Sequence, residues 1–158
     1  MEKINSLTGM TDLIETKADE NVLANKVFQT EKILKEIFTN YAMSEIRTPA
    51  LENTNLFKRS VGDTSDIVNK ELYTFSDKND KSITLRPEGT ASVMRSIIEK
   101  KLDGETHKLW YLGPMWRYER PQKGRYRQFN QAGIEILGYP EGAPESVSYT
   151  HLRAHETN

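Results

Sequence analysis

The sequence contains no cysteine, which excludes a disulfide framework and any zinc site built on thiolates. Long apolar runs are also lacking, and no stretch approaches the ~18 consecutive apolar residues that a transmembrane helix requires. The amino-terminal stretch MEKINSLTGMTDLIE carries acidic residues and has no apolar core of the kind found in secretory signals. We therefore expect a cytoplasmic protein that does not interact with membranes.

Several common chemical motifs are missing as well. There is no glycine-rich P-loop, no dinucleotide-binding fingerprint and no HExxH helix. His151 and His155 have the four-residue spacing that can bind a metal on a helix, but they lie in a tail with neither helical nor strand periodicity. The sequence predicts no metal site and no tightly bound cofactor.

Charge is distributed unevenly along the chain. The stretch from residue 108 to 130 holds six basic residues and one acidic residue, whereas the whole chain has a net charge of −1. The basic residues are Lys108, Arg117, Arg120, Lys123, Arg125 and Arg127. Such a local excess favours the binding of a polyanion at one place over general affinity for nucleic acids.

Hydrophobic periodicity in the first half of the chain predicts helices and a hairpin. An amphipathic helix is expected over residues 19–41, followed by a strand-like segment, SEIRTPALE, in which Pro49 suits an edge, a bulge or a contact between chains. The alternating segments ELYTF and SITLR predict a β-hairpin over residues 71–86. A second helix is expected over residues 88–102, with Pro87 in its first turn. Glu88 and Thr90 would then lie at its amino end, either capping it or binding a ligand.

Two longer strands are expected over residues 109–119 and 128–137, joined by the basic loop, and Gly113–Pro114 suggests a bulge in the first. In the second strand Phe129, Gln131, Gly133 and Glu135 share one face. This face is a poor hydrophobic core but suits the floor of a polar ligand site, with Gly133 leaving room for the ligand. A solvated outer face is the alternative.

The loop ERPQKGRYRQ carries arginines that can grip phosphate bidentately, and Tyr126 and Phe129 can stack on a base. An arginine held at a strand end can also stabilise charge that develops on phosphorus. The alternative is an exposed basic hairpin that contacts an RNA backbone without catalysing a reaction.

Three segments, IRTPALE, TLRPEGTA and LWYLGPMWRYERPQKGRYRQFNQAGIEILG, resemble the amino-terminal part of bacterial histidyl-tRNA synthetases, a class II aminoacyl-tRNA synthetase family. The resemblance runs from about residue 3 to residue 140. It implies an α+β fold, a partial class II catalytic domain with a mostly antiparallel sheet flanked by helices. Residues 1–145 would carry motifs 1 and 2, and residues 146–158 would be a non-native or disordered tail.

The resemblance also implies roles for individual residues. Arg117 matches the catalytic arginine of motif 2, which bridges the histidine carboxylate and the α-phosphate of ATP. The histidine-binding set would be Glu88, Gly89, Thr90, Arg117, Gln131 and Glu135. The ATP-binding set would be Arg117, Glu119, Arg125 and Phe129. Contacts to the acceptor end of tRNA would come from Arg120, Gln122 and Lys123.

The implied substrates are L-histidine, ATP with Mg²⁺ and tRNA(His), and the implied assembly is a homodimer with Pro49 near its interface. Later segments of the family pattern are not present, so we expect that the isolated chain does not complete aminoacylation. A non-catalytic regulatory paralogue, which acts with ATP phosphoribosyltransferase in histidine biosynthesis, is the main alternative. The intact basic loop RPQKGRYRQF favours the synthetase, because ATP and tRNA both require its charge. A stand-alone RNA-binding module is the third possibility.

Overall fold

The computed structural model describes residues 3–16, 22–62, 65, 67–120, 122 and 124–139. Within them the chain forms three α-helices, six strands and a π-helical turn at Ile67–Glu71. The helices are α1 (Val22–Asn40), α2 (Thr54–Val61) and α3 (Thr90–Glu99). The strands are β1 (Ser44–Glu45), β2 (Leu51–Asn53), β3 (Thr74–Ser76), β4 (Ser82–Leu85), β5 (His107–Trp116) and β6 (Gln128–Leu137). No described helix is long and apolar enough to cross a membrane.

The strands form two three-stranded sheets with the orders β1-β5-β6 and β2-β4-β3. Only the short β1–β5 pairing is parallel among the described strands, and the other three ladders are antiparallel. The β5–β6 ladder is the longest, with ten residue pairs from His107↔Leu137 to Trp116↔Gln128. The predicted α+β class with a mostly antiparallel sheet is confirmed.

Helices cover both faces of the β5–β6 ladder. On one face α3 packs against the strands through a core of Val93, Ile97, Leu109, Tyr111 and Met115. On the other face Phe38 of α1 contacts Trp110, with ring centroids 5.1 Å apart. The alternation of side chains along β5 explains this arrangement, since neighbouring residues point to opposite faces.

The predicted bulge at Gly113–Pro114 is wrong, because the pairing register runs through it without interruption. The direction of the backbone groups explains how Pro114 is accommodated. Arg117 donates its backbone N–H to Arg127 on the β6 side, whereas Trp116 donates to Arg86 on the opposite side. Pro114 shares the direction of Trp116 and lies beyond the end of β1, so its missing N–H removes no bond from the β5–β6 ladder.

Several boundaries differ from the sequence-based expectation. Helix α3 begins at Thr90, and Pro87 lies before its first turn, because the Glu88 carboxylate accepts the N–H groups of Thr90 and Ala91. The first helix is described from Val22, and residues 17–21 lie outside the description. The predicted hairpin is confirmed as β3 and β4, but Glu71 belongs to the π-helical turn.

The division of one strand-like segment, helix α2 and the π-helical turn were not predicted from the sequence. The segment SEIRTPALE divides into β1 and β2, which belong to different sheets, and the exposed Pro49 lies between them. Helix α2 follows directly and is capped by the Asn53 side chain, which accepts the N–H of Asn55. An asparagine before a short amphipathic stretch is a typical start signal for a helix, and it was available in the sequence.

Candidate active site on the face shared by β6 and α3

The centre of the candidate site is Glu135, a carboxylate that is only 6% exposed. Its Oε1 accepts a hydrogen bond from Thr90 Oγ1 at 2.7 Å, so β6 is joined to the first residue of α3. Burial raises the pKa of Glu135 above its ordinary value; the Thr90 hydrogen bond opposes this, and the nearby charge of Glu88 adds to it. The sheet therefore holds a desolvated carboxyl group at the start of a helix.

A second side chain of the same face makes a parallel contact. Gln131 lies four residues before Glu135 on β6, and its Oε1 accepts the backbone N–H of Gly89 at 3.1 Å. Glu88 in turn caps α3, with Oε2 2.6 Å from the nitrogen of Thr90 and Oε1 2.9 Å from that of Ala91. The capping interpretation of Glu88 is confirmed, and its role in ligand binding stays a prediction.

Arg117 lies at the other end of this face. Its Nε donates to the carbonyl oxygen of Pro87 at 3.0 Å, and its guanidinium carbon is 5.2 Å from the centroid of the Phe129 ring. The backbone pairing of Arg117 with Arg127 places its side chain on the same side of the sheet as Glu135.

The segment Pro87–Thr90 connects the candidate residues of both strands. Its successive groups contact Arg117 through the Pro87 carbonyl, Gln131 through the Gly89 amide and Glu135 through the Thr90 hydroxyl. Four residues span at most ~11 Å between their terminal Cα atoms, so the contacted groups of the two strands lie within a short distance of one another. The structure thus brings together every residue of the predicted histidine-binding set.

One alternative and one expectation about this face are wrong. It is not a solvated outer face, because it packs against α3 and contributes to the core. Gly133 also does not leave room for a ligand: a Cβ atom at this position would lie 2.2 Å from Cζ of Tyr111, and one at Gly89 would lie 2.2 Å from Cε2 of the same ring. The Tyr111 ring therefore fills the space between the two glycines.

Arg86 is a further organising residue that sequence reasoning missed. Its half-buried guanidinium donates to the carbonyl of Pro114 at 3.1 Å and to the carbonyl and hydroxyl oxygens of Thr48 at 2.8 and 2.9 Å. Burial lowers its pKa, and the charge of Glu52 opposes this. Arg86 directly precedes the Pro87–Thr90 segment, so it anchors that segment to β5 and to the chain before β2. The sequence signal that could have identified Arg86 is its position between a predicted strand and a proline.

The basic loop, residues 117–127, is more exposed to solvent than the buried face that carries Gln131 and Glu135. Gln122 and Arg125 bond to each other through their backbones around Gly124, whose φ of +82° suits glycine. Arg120 and Gln122 are exposed, and Arg125, with 53% of its side chain exposed, lies 3.6 Å from Glu119. Lys123 lies outside the described residues. The loop therefore presents cations to solvent, as binding of a polyanion requires.

A groove with a volume of about 950 Å³ borders the start of α3. It runs between α2 and α3 with a mainly apolar lining that includes Leu56, Met94 and Ile98. Glu88 and Thr90 border it, but Arg117 and Glu135 do not. Among the residues that the structure describes, no group of three or more acidic or histidine side chains is arranged to hold a metal ion.

Comparisons with known proteins show which proteins this chain is similar to. The family model described as histidyl-tRNA synthetase matches residues 20–152. A histidine–tRNA ligase of Desulfitobacterium hafniense is 61% identical over 110 residues, which are 68% of this chain and 26% of that protein. The chain thus spans about a quarter of the length of this curated relative.

Solved structures also resemble this chain. The apo histidyl-tRNA synthetase of S. aureus matches with a TM-score of 0.67 and 43% identity, over 87% of this chain and 30% of that one. A protein of Bacillus halodurans described as an ATP phosphoribosyltransferase regulatory subunit/histidyl-tRNA synthetase matches with a TM-score of 0.62. Its identity is 23%, over 89% of this chain and 34% of that one, so this likeness shows the fold alone.

Proposed function

The chain belongs to the histidyl-tRNA synthetase family, and we propose that it forms the part of the active site at which L-histidine and ATP meet. The reaction is that of a histidine–tRNA ligase, in which L-histidine is activated to histidyl-adenylate and transferred to tRNA(His). One observation carries the proposal. The Pro87–Thr90 segment contacts Arg117 through Pro87, Gln131 through Gly89 and Glu135 through Thr90.

The proposed first step is attack of the histidine carboxylate on the α-phosphorus of ATP, with pyrophosphate as the leaving group. Arg117 is suited to this step because a hydrogen bond to the Pro87 carbonyl and the Phe129 ring fix the direction of its guanidinium. In that position it would orient the carboxylate and offset the charge on the phosphoryl oxygens. A hydroxyl at the 3′ end of tRNA then attacks the acyl carbon and AMP leaves, so neither step requires a protein nucleophile.

Recognition of histidine is assigned to Glu135 and to the residues around the start of α3. The buried carboxyl of Glu135 is an acceptor for an imidazole N–H and tolerates a cationic ring. Glu88, Gly89, Thr90 and Gln131 would surround the amino group, since Glu88 and Thr90 carry side-chain oxygens at the start of α3 and Gln131 reaches Gly89 from β6. The hydrogen bonds between these residues set their positions before a ligand arrives, which lowers the entropic cost of binding.

Recognition of ATP and tRNA is assigned to the loop. Glu119, Arg125 and Phe129 would contact MgATP, which enters as the substrate, and Arg120, Gln122 and Lys123 would approach the acceptor end of tRNA. A second copy of the protein would pack near Pro49, which is exposed between β1 and β2. We expect the proposed activity in the cytoplasm.

The proposal is tested by titrating the 158-residue chain with L-histidine while amide chemical shifts are recorded by NMR. We expect shift changes at Thr90, Gln131 and Glu135, and no comparable changes with L-phenylalanine. Glu135→Gln keeps the acceptor for Thr90 but removes the charge. It should weaken histidine binding by about tenfold or more, because a hydrogen bond to a charged group contributes ~1.5–3 kcal/mol.

Glu105→Gln is the matched control, since it removes the same charge from an exposed position. It should leave histidine affinity unchanged. Shift changes with L-histidine that avoid these residues, or equal losses in both variants, would contradict the proposal.

The second candidate is a non-catalytic regulatory paralogue acting with ATP phosphoribosyltransferase in histidine biosynthesis. The fold likeness to the Bacillus halodurans protein keeps it in consideration. The two candidates differ in their need for ATP. Binding of MgATP that is weakened by Arg117→Gln favours the synthetase, and histidine binding without MgATP binding favours the paralogue.

A further inference from the structure

The segment Leu7–Met10, here called the amino-terminal arm, lies against the point where the basic loop returns to β6. It forms a turn in which Met10 donates its N–H to the carbonyl of Leu7 at 2.9 Å. The carbonyl oxygen of Gly9 accepts two backbone N–H groups, from Arg127 at 2.8 Å and from Gln128 at 3.1 Å. One carbonyl of the arm therefore holds both residues at the end of the loop.

This contact depends on the absence of a side chain at position 9. Gly9 has a φ of +79°, a conformation that side chains disfavour, as in turns that require glycine at the third position. A Cβ atom there would also lie 2.9 Å from Cγ and 3.1 Å from the backbone nitrogen of Arg127. Backbone conformation and close approach both require glycine.

Arg127 extends this contact to the opposite strand. Its carbonyl accepts the N–H of Arg117 at 2.9 Å, and its Nε donates to the carbonyl of Glu119 at 3.1 Å. Its guanidinium carbon lies 4.0 Å from the centroid of the Tyr118 ring. Arg127 thus joins the two ends of the loop, and its side chain is engaged by the Glu119 carbonyl and the Tyr118 ring.

The arm itself contributes little to the core. Leu7 is 70% exposed, and Ile4, which precedes the arm, is 96% exposed, so this part of the chain buries little apolar surface. Its contacts with the loop include the two hydrogen bonds to the Gly9 carbonyl and the close approach of Gly9 to the Arg127 side chain. An element that adds little burial but fixes two successive amides is suited to positioning rather than to global stability.

We propose that the amino-terminal arm is a positioning element for the ATP site. It holds Arg117 and Glu119 in place through the hydrogen bonds that the Gly9 carbonyl accepts from Arg127, at the end of the loop, and from Gln128, at the start of β6. The reference to ATP rests on the function proposed above. The contact between the arm and the loop does not rest on that function, and it can be measured without any ligand.

Two pairs of variants of the 158-residue chain test the proposal. A truncation lacking residues 1–10 removes the contact, and its matched control lacks only residues 1–6. Gly9→Val disturbs the contact by substitution. Its control is Gly62→Val, which has a similar positive φ but no atom within 4 Å of the added Cβ. Circular dichroism and thermal unfolding establish that each variant retains the fold.

The readouts are hydrogen exchange at the Arg127 and Gln128 amides and the affinities for MgATP and L-histidine. We expect faster exchange at both amides in the longer truncation and in Gly9→Val, but not in either control. MgATP affinity should fall by about tenfold, equivalent to ~1.4 kcal/mol. Histidine affinity should change by about twofold or less, because Gln131 and Glu135 are held by their own hydrogen bonds to Gly89 and Thr90.

Unchanged exchange at both amides after removal of residues 1–10 would overturn the proposal. Equal weakening of both ligands together with a lower melting temperature would also overturn it, since the arm would then support only the fold. If the intact chain bound no MgATP, the proposed function would fail. Exchange at the two amides would then decide alone whether the arm holds the loop.

Discussion

The two ends of the β5–β6 ladder are built in different ways. At the closed end, Glu135 and Gln131 are fixed by hydrogen bonds to the start of α3, and the Tyr111 ring is packed between two glycines. At the open end, the basic loop is held by a few backbone bonds and keeps charged side chains such as Arg125 exposed. The difference matches what each end is proposed to bind.

A small zwitterion is recognised by a few polar atoms in fixed places, and burial strengthens each contact. A triphosphate or an RNA backbone carries several charges and is attracted at longer range, so cations serve best where solvent and ligand reach them. We expect substitutions at the closed end to affect stability and selectivity, and substitutions in the loop to affect affinity and its salt dependence. Three experiments test this comparison.

The largest effect is expected for Gly133→Val at the closed end. The added side chain has no space beside the Tyr111 ring, and the surrounding core limits any shift. The free energy of unfolding, measured with urea, should fall by about 3 kcal/mol. Gly104→Val, where an added Cβ meets no atom within 4 Å, is the control and should change stability far less. Equal losses in the two variants would show that the closed end is not tightly packed.

A smaller effect is expected for Arg125→Gln at the open end. Its ion pair with Glu119 is long and exposed, so the free energy of unfolding should change by no more than about 0.5 kcal/mol. MgATP affinity should fall several-fold, and its dependence on salt concentration should become weaker. Lys100→Gln, an exposed basic residue on another element, should alter neither quantity. A large loss of stability in Arg125→Gln would remove the contrast between the two ends.

The smallest effect is the pH dependence caused by Glu135. Burial raises its pKa in the folded state above the ordinary value of 4.5, so the folded chain retains this proton to higher pH than the unfolded chain. Stability should therefore fall as pH rises from about that value through the folded-state pKa, and the loss should be absent in Glu135→Gln.

Asp77 provides a comparison of opposite sign. Hydrogen bonds from the backbone of Lys81 and Asn79 lower its pKa, so its contribution is present above the ordinary value and is lost as pH falls. Urea unfolding of Glu135→Gln and Asp77→Asn should change the slope of unfolding free energy against pH in opposite directions, above 4.5 for Glu135 and below 3.8 for Asp77. Identical slopes would argue against burial of the Glu135 carboxyl.

Local patterns predicted the elements that local forces dominate. Helical periodicity identified α1 and α3, and alternation identified β3, β4, β5 and β6, because these patterns follow directly from backbone geometry. The motif segments also indicated the family that the comparisons show. Helix α2 was missed because it is short and its amphipathic pattern extends over only eight residues.

The spacing of residues in this sequence determined which side chains share a face: Gln131, Gly133 and Glu135 alternate with their neighbours whatever surrounds the strand. Only the tertiary structure decided what that face meets. It placed Tyr111 where a ligand was expected beside Gly133, passed Pro114 through β5 without a bulge, and set Gly9 against Arg127 across more than a hundred residues of chain. The physical reason is that backbone geometry acts between near neighbours, whereas close packing and the pairing of buried polar groups depend on segments that are distant in the sequence.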